Sequence, residues 1–177
     1  MNLKIKHFTE IDSTNDYAVD SIISSNIDSD YAIIADKQLA GRGRLNKRIW
    51  ESPPGNFYCT YVFNLGIVGF ECEKTNSLIF IVMKAIRAFL VELVKSELID
   101  LKLPNDILVK GKKLAGVLIE VLYPYAAVGI GINLISSPIK NATNLKDEFD
   151  LTLKPSELVE NLYVSLLAEI KQKCNPC

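Results

Sequence analysis

The sequence predicts an α+β fold, with helices packed against a mixed, largely antiparallel sheet. Three observations carry that expectation. Segments rich in β-branched and aromatic residues follow one another with few helices between them. Apolar residues at helical intervals are confined to three stretches. A tight turn at "KGKK", where Gly111 can take a positive φ, joins two neighbouring apolar runs. With 177 residues and 49% hydrophobic content, the chain is long enough for one domain, residues 1–177, with a substantial core. It shows no internal repeat, low-complexity tract or linker.

The elements follow in order. "IKHFTEI" reads as a strand, and "STNDYAVDSIIS" as a helix opening on a Ser or Asp cap. "YAIIADKQ" is a short apolar strand that runs directly into the loop "QLAGRGRLNKRIW". "NFYCTYVFNL" alternates and is aromatic-rich, as a strand should be. A long helix is expected over about residues 75–96. Lys84, Arg87 and Glu92 interrupt it at helical spacing, which fits a largely buried helix of a soluble protein better than a membrane span. "LKLPNDILVKGKKLAGVLIEVLY" should form two strands about the "KGKK" turn, with Pro104 holding the chain extended. "YAAVGIGINL" is a further strand, followed by a polar connection from about Ser136. The last helix should begin at Ser156 and close in lysines.

Composition narrows the function classes. With 20 basic and 21 acidic residues, the formal net charge is −1, which argues against nucleic acid as the principal partner. The N-terminal "MNLKIKHFTEIDS" lacks the pattern of a secretory signal, so a reducing cytoplasm is expected. Cys59 and Cys72 sit in apolar or mixed surroundings. Cys174 and Cys177 form "CNPC" with no second pair to complete a zinc site, so a tail is expected there. His7, the only histidine, reads as structural.

Four constellations remain. In "GRGR", Gly41 and Gly43 allow close backbone approach, while Arg42 and Arg44 supply planar cationic donors suited to phosphate. Taken alone, a solvated basic turn explains it equally well. In "LPNDILVKGKKLAG", Asn105 and Asp106 offer polar groups beside a strand, and Lys113 precedes an apolar run containing Gly116. A lysine at a buried strand edge needs an anionic partner, whereas Lys110 and Lys112 can simply decorate the turn. "GIGIN" places Gly129, Gly131 and Asn133 on one strand, where something must pack closely against the glycines. "DSTND" brings Ser13, Thr14 and Asn15 to a helix start, where capping alone accounts for a hydroxyl.

The order DSTN, QxxGRGR, LPND with KLAG, then GIGIN resembles that of the catalytic domain of biotin protein ligases, from about Lys4 to Asn133. The resemblance implies the class II aminoacyl-tRNA synthetase/biotin ligase-like fold and a two-step reaction. Biotin and MgATP would give biotinyl-5′-AMP and diphosphate, after which biotin would pass to a lysine of a biotin carboxyl carrier domain. It assigns Arg44 and Lys113 as catalytic, with Arg42 sharing the anionic groups. Ser13, Thr14, Asn15, Gln38, Gly41 and Gly43 would contact biotin, and Gly116, Gly129 and Gly131 would leave room for it. Trp50, Asn133, Asn105 and Asp106 would serve the nucleotide, Asp106 being the possible Mg²⁺ contact. Leu103 stands where the family commonly has tryptophan, and "LNKRIW" is one residue longer than usual, which shifts Lys47 and Arg48. No N-terminal helix-turn-helix and no C-terminal β-barrel are expected, hence no DNA; no membrane partner is expected either, and the resemblance makes a homodimer possible. Lipoate or octanoate enzymes of the same fold, and a non-catalytic biotin-binding module, are the alternatives.

Overall fold

A parallel crossover opens the chain. Strand β1 (Lys4–Ile11) and strand β2 (Tyr31–Gln38) lie side by side in parallel, and helix α1 (Thr14–Ile23) connects them. The remaining strands are β3 (Phe57–Asn64), β4 (Ile99–Lys102), β5 (Asp106–Val109), β6 (Lys112–Leu122) and β7 (Tyr125–Ile132). They complete a seven-stranded sheet of order β1-β2-β3-β7-β6-β5-β4, antiparallel at every other junction. Three further helices follow the strands' course: α2 (Leu78–Val94), α3 (Leu145–Phe149) and α4 (Pro155–Cys174). This computed structural model describes residues 3–24, 27, 29–44 and 49–174. The expected mixed, largely antiparallel architecture is the one observed.

Strand alternation divides the interior into two layers. On β3, Phe57, Cys59, Tyr61 and Phe63 face a large core shared with α2 and α4, which includes Ile86, Leu90, Leu162 and Leu166. The opposite face carries Val62 and Ala127, covered by Ala18 and Ile22 of α1. Helix α1 covers only part of that face. Beyond it the same alternation presents Tyr58, Thr60, Gly129 and Gly131 to an open cleft.

Four local departures have simple causes. Leu103-Pro104-Asn105 is a turn, with a cis peptide before Pro104, so β4 and β5 form a hairpin where an extended run was expected. Proline's fixed φ serves a turn as well as an extended segment. Helix α2 starts at Leu78, because Cys72–Ser77 forms a 3-10 turn ahead of it. Helix α3 was not anticipated, since five residues cannot display a helical period; Asn144 caps it, accepting from the Asp147 N–H at 2.9 Å. Helix α4 begins at Pro155, one residue before Ser156, where proline's missing N–H costs nothing. The "KGKK" turn forms as read, with φ of 49° at Lys110 and 79° at Gly111. Among the described residues, no helix is long and apolar enough to cross a membrane.

Candidate active site

The cleft has a volume of about 650 Å³ and lies on the sheet face that α1 leaves open. One wall is a chain of oriented hydrogen bonds. Thr60 Oγ1 donates to Thr14 Oγ1 at 2.9 Å, and Thr14 donates to Gln38 Oε1 through both its hydroxyl (3.0 Å) and its N–H (2.9 Å). Gln38 Nε2 donates to Ser52 Oγ, and Ser52 Oγ donates to the Trp50 carbonyl, each at 3.0 Å. Ser13 is the helix cap, accepting from the Asp16 N–H at 3.2 Å. The start of α1, the end of β2 and the segment following the Gly-Arg loop are thereby joined through side chains.

The floor is the glycine face of β6 and β7, and the chain's own side chains rest on it. A Cβ at Gly131 would lie 2.5 Å from the Trp50 indole, and one at Gly116 would lie 2.7 Å from it. Asn15 occupies the corresponding space over Gly129. The strand glycines therefore do leave room, as the "GIGIN" pattern requires, and here that room holds Trp50 and Asn15. The indole N–H is buried without a hydrogen-bond partner among the described residues.

A β-bulge aims the lysine. Between β5 and β6 the register shifts, so that Ile107 pairs with Ala115 but Leu108 with Lys113. Leu114 and Ala115 both enter the core in consequence, while Lys113 and Gly116 both reach the cleft. Lys113 Nζ lies 2.6 Å from Asp106 Oδ1 and 5.0 Å from the Trp50 ring centroid. Asn105, in the preceding turn, donates to the Val117 carbonyl at 3.0 Å and ties the hairpin to β6.

Arg42, Gly43 and Arg44 line the cleft, as do Ser13, Thr14, Asn15, Gln38, Trp50, Asn105, Asp106, Lys113, Gly116, Gly129 and Gly131. Arg42 pairs with Asp16 (Nε to Oδ1, 2.6 Å) and with Glu120. Arg44 is exposed, with no hydrogen-bond or ion-pair partner among the described residues. Two anticipated residues lie outside the lining. Gly41 sits behind the loop, where a Cβ would meet the Trp50 carbonyl at 2.5 Å. Asn133 is buried and donates to the Thr143 carbonyl at 3.0 Å, so its amide is committed to the backbone. Lys47, Arg48 and the tail from Asn175 to Cys177 fall outside the described residues.

Sequence reasoning missed Tyr58 and Thr60, although the alternation of β3 could have placed them opposite Phe57 and Cys59. Burial pushes the Tyr58 hydroxyl up to about 12, and it donates to the Pro53 carbonyl at 2.7 Å, so it stays neutral. It also missed the cationic excess: Lys102, Lys110 and Lys112 join Arg42, Arg44 and Lys113, with Asp106 as the lining's carboxylate. Glu148, itself little exposed, holds Lys110 at 2.9 Å and accepts from Thr143 Oγ1 at 2.8 Å. Asp16 and Glu120 pair with Arg42, Glu148 with Lys110 and Lys112, and Asp106 with Lys113, so the cationic surplus that remains is small; it lies beside a flat, glycine-lined floor and suits an anionic ligand.

Comparison with known proteins points to one family. The family model described as the biotin/lipoate A/B protein ligase family matches residues 8–134. The bifunctional ligase/repressor BirA of Bacillus subtilis is 30% identical over 146 residues, covering 79% of this chain and 43% of that protein. The biotin–[acetyl-CoA-carboxylase] ligase of Paracoccus denitrificans is 31% identical over 132 residues, covering 72% and 53% respectively. The biotin protein ligase of Aquifex aeolicus in complex with biotin and ATP superposes with a TM-score of 0.80 at 29% identity, covering 96% of this chain and 71% of that one. The chain thus spans about half the length, or less, of the curated relatives it matches here.

Proposed function

Since the chain belongs to the biotin/lipoate A/B protein ligase family, we propose that it is a biotin protein ligase. It activates biotin with ATP to biotinyl-5′-AMP and diphosphate, then passes biotin to a lysine of a biotin carboxyl carrier domain. The observation that carries this reading is the cation-rich cleft set directly beside a glycine-lined floor.

Activation brings the biotin carboxylate up to the α-phosphate of ATP, so two anions must meet. Cations fixed beside them offset the repulsion and the charge that develops as diphosphate leaves. Lys113 is suited to this work because the bulge fixes its backbone; it would exchange Asp106 for the reacting phosphate. Arg44, without a protein partner among the described residues, would hold the adenylate. Ser13, Thr14, Asn15 and Gln38 would meet the polar groups of biotin, and Trp50 and Asn105 would border the nucleotide. The described residues hold no group of three or more metal-ligating side chains, and Asp106 alone is a weak cage. Mg²⁺ is best read as arriving on the ATP phosphates, to which it supplies charge neutralisation.

The acceptor, the cytoplasmic location and a homodimer belong to this proposal, as does the chain acting as one catalytic domain. The near balance of charge speaks against a nucleic-acid-binding surface as a second role. Incubating the protein with biotin and MgATP should give biotin-dependent diphosphate release and biotinyl-AMP. Folded protein that produces neither would overturn the reading. Because the family also includes lipoate enzymes, biotin and lipoate should be compared by thermal shift; stabilisation by lipoate alone would move the substrate class.

A further inference from the structure

Arg42 borders the cleft, yet protein groups occupy its guanidinium on two sides. Its Nε faces Asp16 Oδ1 at 2.6 Å, and its Nη2 donates to Glu120 Oε2, which also accepts from Asn15 Nδ2. Two carboxylates facing one guanidinium over-neutralise it, so little positive field remains for a ligand. The two carboxylates come from elements fixed by other means: Asp16 from the first turn of α1, Glu120 from the cleft-facing side of β6. Arg42 also stands at the stem of the Gly-Arg loop. It bridges to Ile49 across the loop, and the Trp50 N–H donates to the Gly41 carbonyl at 2.8 Å.

We propose that Asp16 and Glu120 are positioning residues that clamp Arg42, making it the anchor of the Gly-Arg loop. The loop stem is thereby fixed to helix α1 and strand β6, and Arg44 is projected from a fixed base. The anionic ligand is then met by Arg44 and Lys113, with Arg42 left to its carboxylates. The ligand half of this statement rests on the ligase reading; the clamp itself rests on geometry alone. A rival arrangement, in which Arg42 grips the ligand and the carboxylates merely compete for it, predicts the opposite sign. Removing a carboxylate would then free a cation and tighten anion binding.

The test compares the parent with Glu120→Gln, Asp16→Asn, Arg42→Gln, the Glu120→Gln/Arg42→Gln double variant and Glu120→Asp. Limited trypsin digestion is followed at the bond after Arg44, which all these substitutions leave intact. Because cleavage tracks the population in which the stem has come away from α1 and β6, Glu120→Gln should raise its rate by about three-fold, the scale of a partly exposed ion-pair network. Arg42→Gln should do the same, the double variant should be no faster than Arg42→Gln alone, and Glu120→Asp should recover part of the loss. Biotinyl-AMP should escape faster from Glu120→Gln than from the parent. Asp16→Asn, at a side chain nearly half exposed, repeats the test at a site that folding tolerates. Unchanged cleavage in folded variants, additive effects in the double variant, or tighter ATP binding in Glu120→Gln would overturn the clamp. A parent that makes no biotinyl-AMP would remove the ligase reading, while the digestion pattern would still decide the clamp.

Discussion

Lys113 has two partners of opposite kinds, the Asp106 carboxylate and the Trp50 ring face. Its side chain is about a quarter exposed, and its ammonium is held where a phosphate can displace the carboxylate without reorganising the strand. Lys113→Ala should lower the rate of adenylate formation about a hundred-fold, the scale of removing one preorganised charge-stabilising donor. Circular dichroism should show unchanged helix content, and an unchanged rate would take Lys113 out of its role. Arg44→Gly has a different signature, because nothing among the described residues depends on its guanidinium for folding. The adenylate should form but leave the variant about ten-fold faster, measured as release of labelled biotinyl-AMP. At this scale the sequence was informative about identity but not about partnership. Arg42 and Glu120 are 78 residues apart, so no local pattern could reveal that they pair.

The β5–β6 hairpin and α3 act on each other through Glu148. Its carboxyl lies below the ordinary glutamate range, first through the hydrogen bond from Lys110 and then through that from Thr143. A depressed folded-state value means that the unfolded chain takes up the proton first as pH falls. The contribution to stability is therefore complete above the ordinary carboxylate range and is lost as pH drops through the folded value. The melting temperature of the parent should exceed that of Glu148→Gln at pH 7, with the gap narrowing towards pH 3; a constant gap would contradict the linkage. Element type was largely legible: β2 matches the apolar run "YAIIADKQ" residue for residue, and β3 follows its alternation. The β4–β5 hairpin was not legible, because Pro104 is equally at home in an extended run and in a turn. Nor was the bulge, whose only trace is two consecutive core residues, Leu114 and Ala115, between two cleft-facing ones.

In the whole molecule, the sheet separates stability from chemistry. The large core lies under α2 and α4, and the cleft lies on the other face. Leu90→Ala, a fully buried side chain on α2, should cost about 2–5 kcal/mol in urea denaturation through lost burial and a residual cavity. The affinity of the folded protein for biotin and ATP should stay at the parental level; a coupled loss would show that the two faces are not independent. The four motifs, dispersed from Ser13 to Asn133 in the chain, meet because β2, β3, β7 and β6 are neighbours in the sheet. Their order was readable in the sequence, whereas their meeting place was set by strand pairing over long separations. One property of the whole protein follows from what rests on the glycine floor. Trp50 is the sole tryptophan of the chain, so its entire indole emission originates inside the cleft. A ligand that reaches the floor or comes to lie beside the indole changes the indole's surroundings, and the emission should change as biotin or ATP is titrated in. The protein thus carries its own unlabelled gauge of occupancy, readable in a cuvette before any turnover is measured.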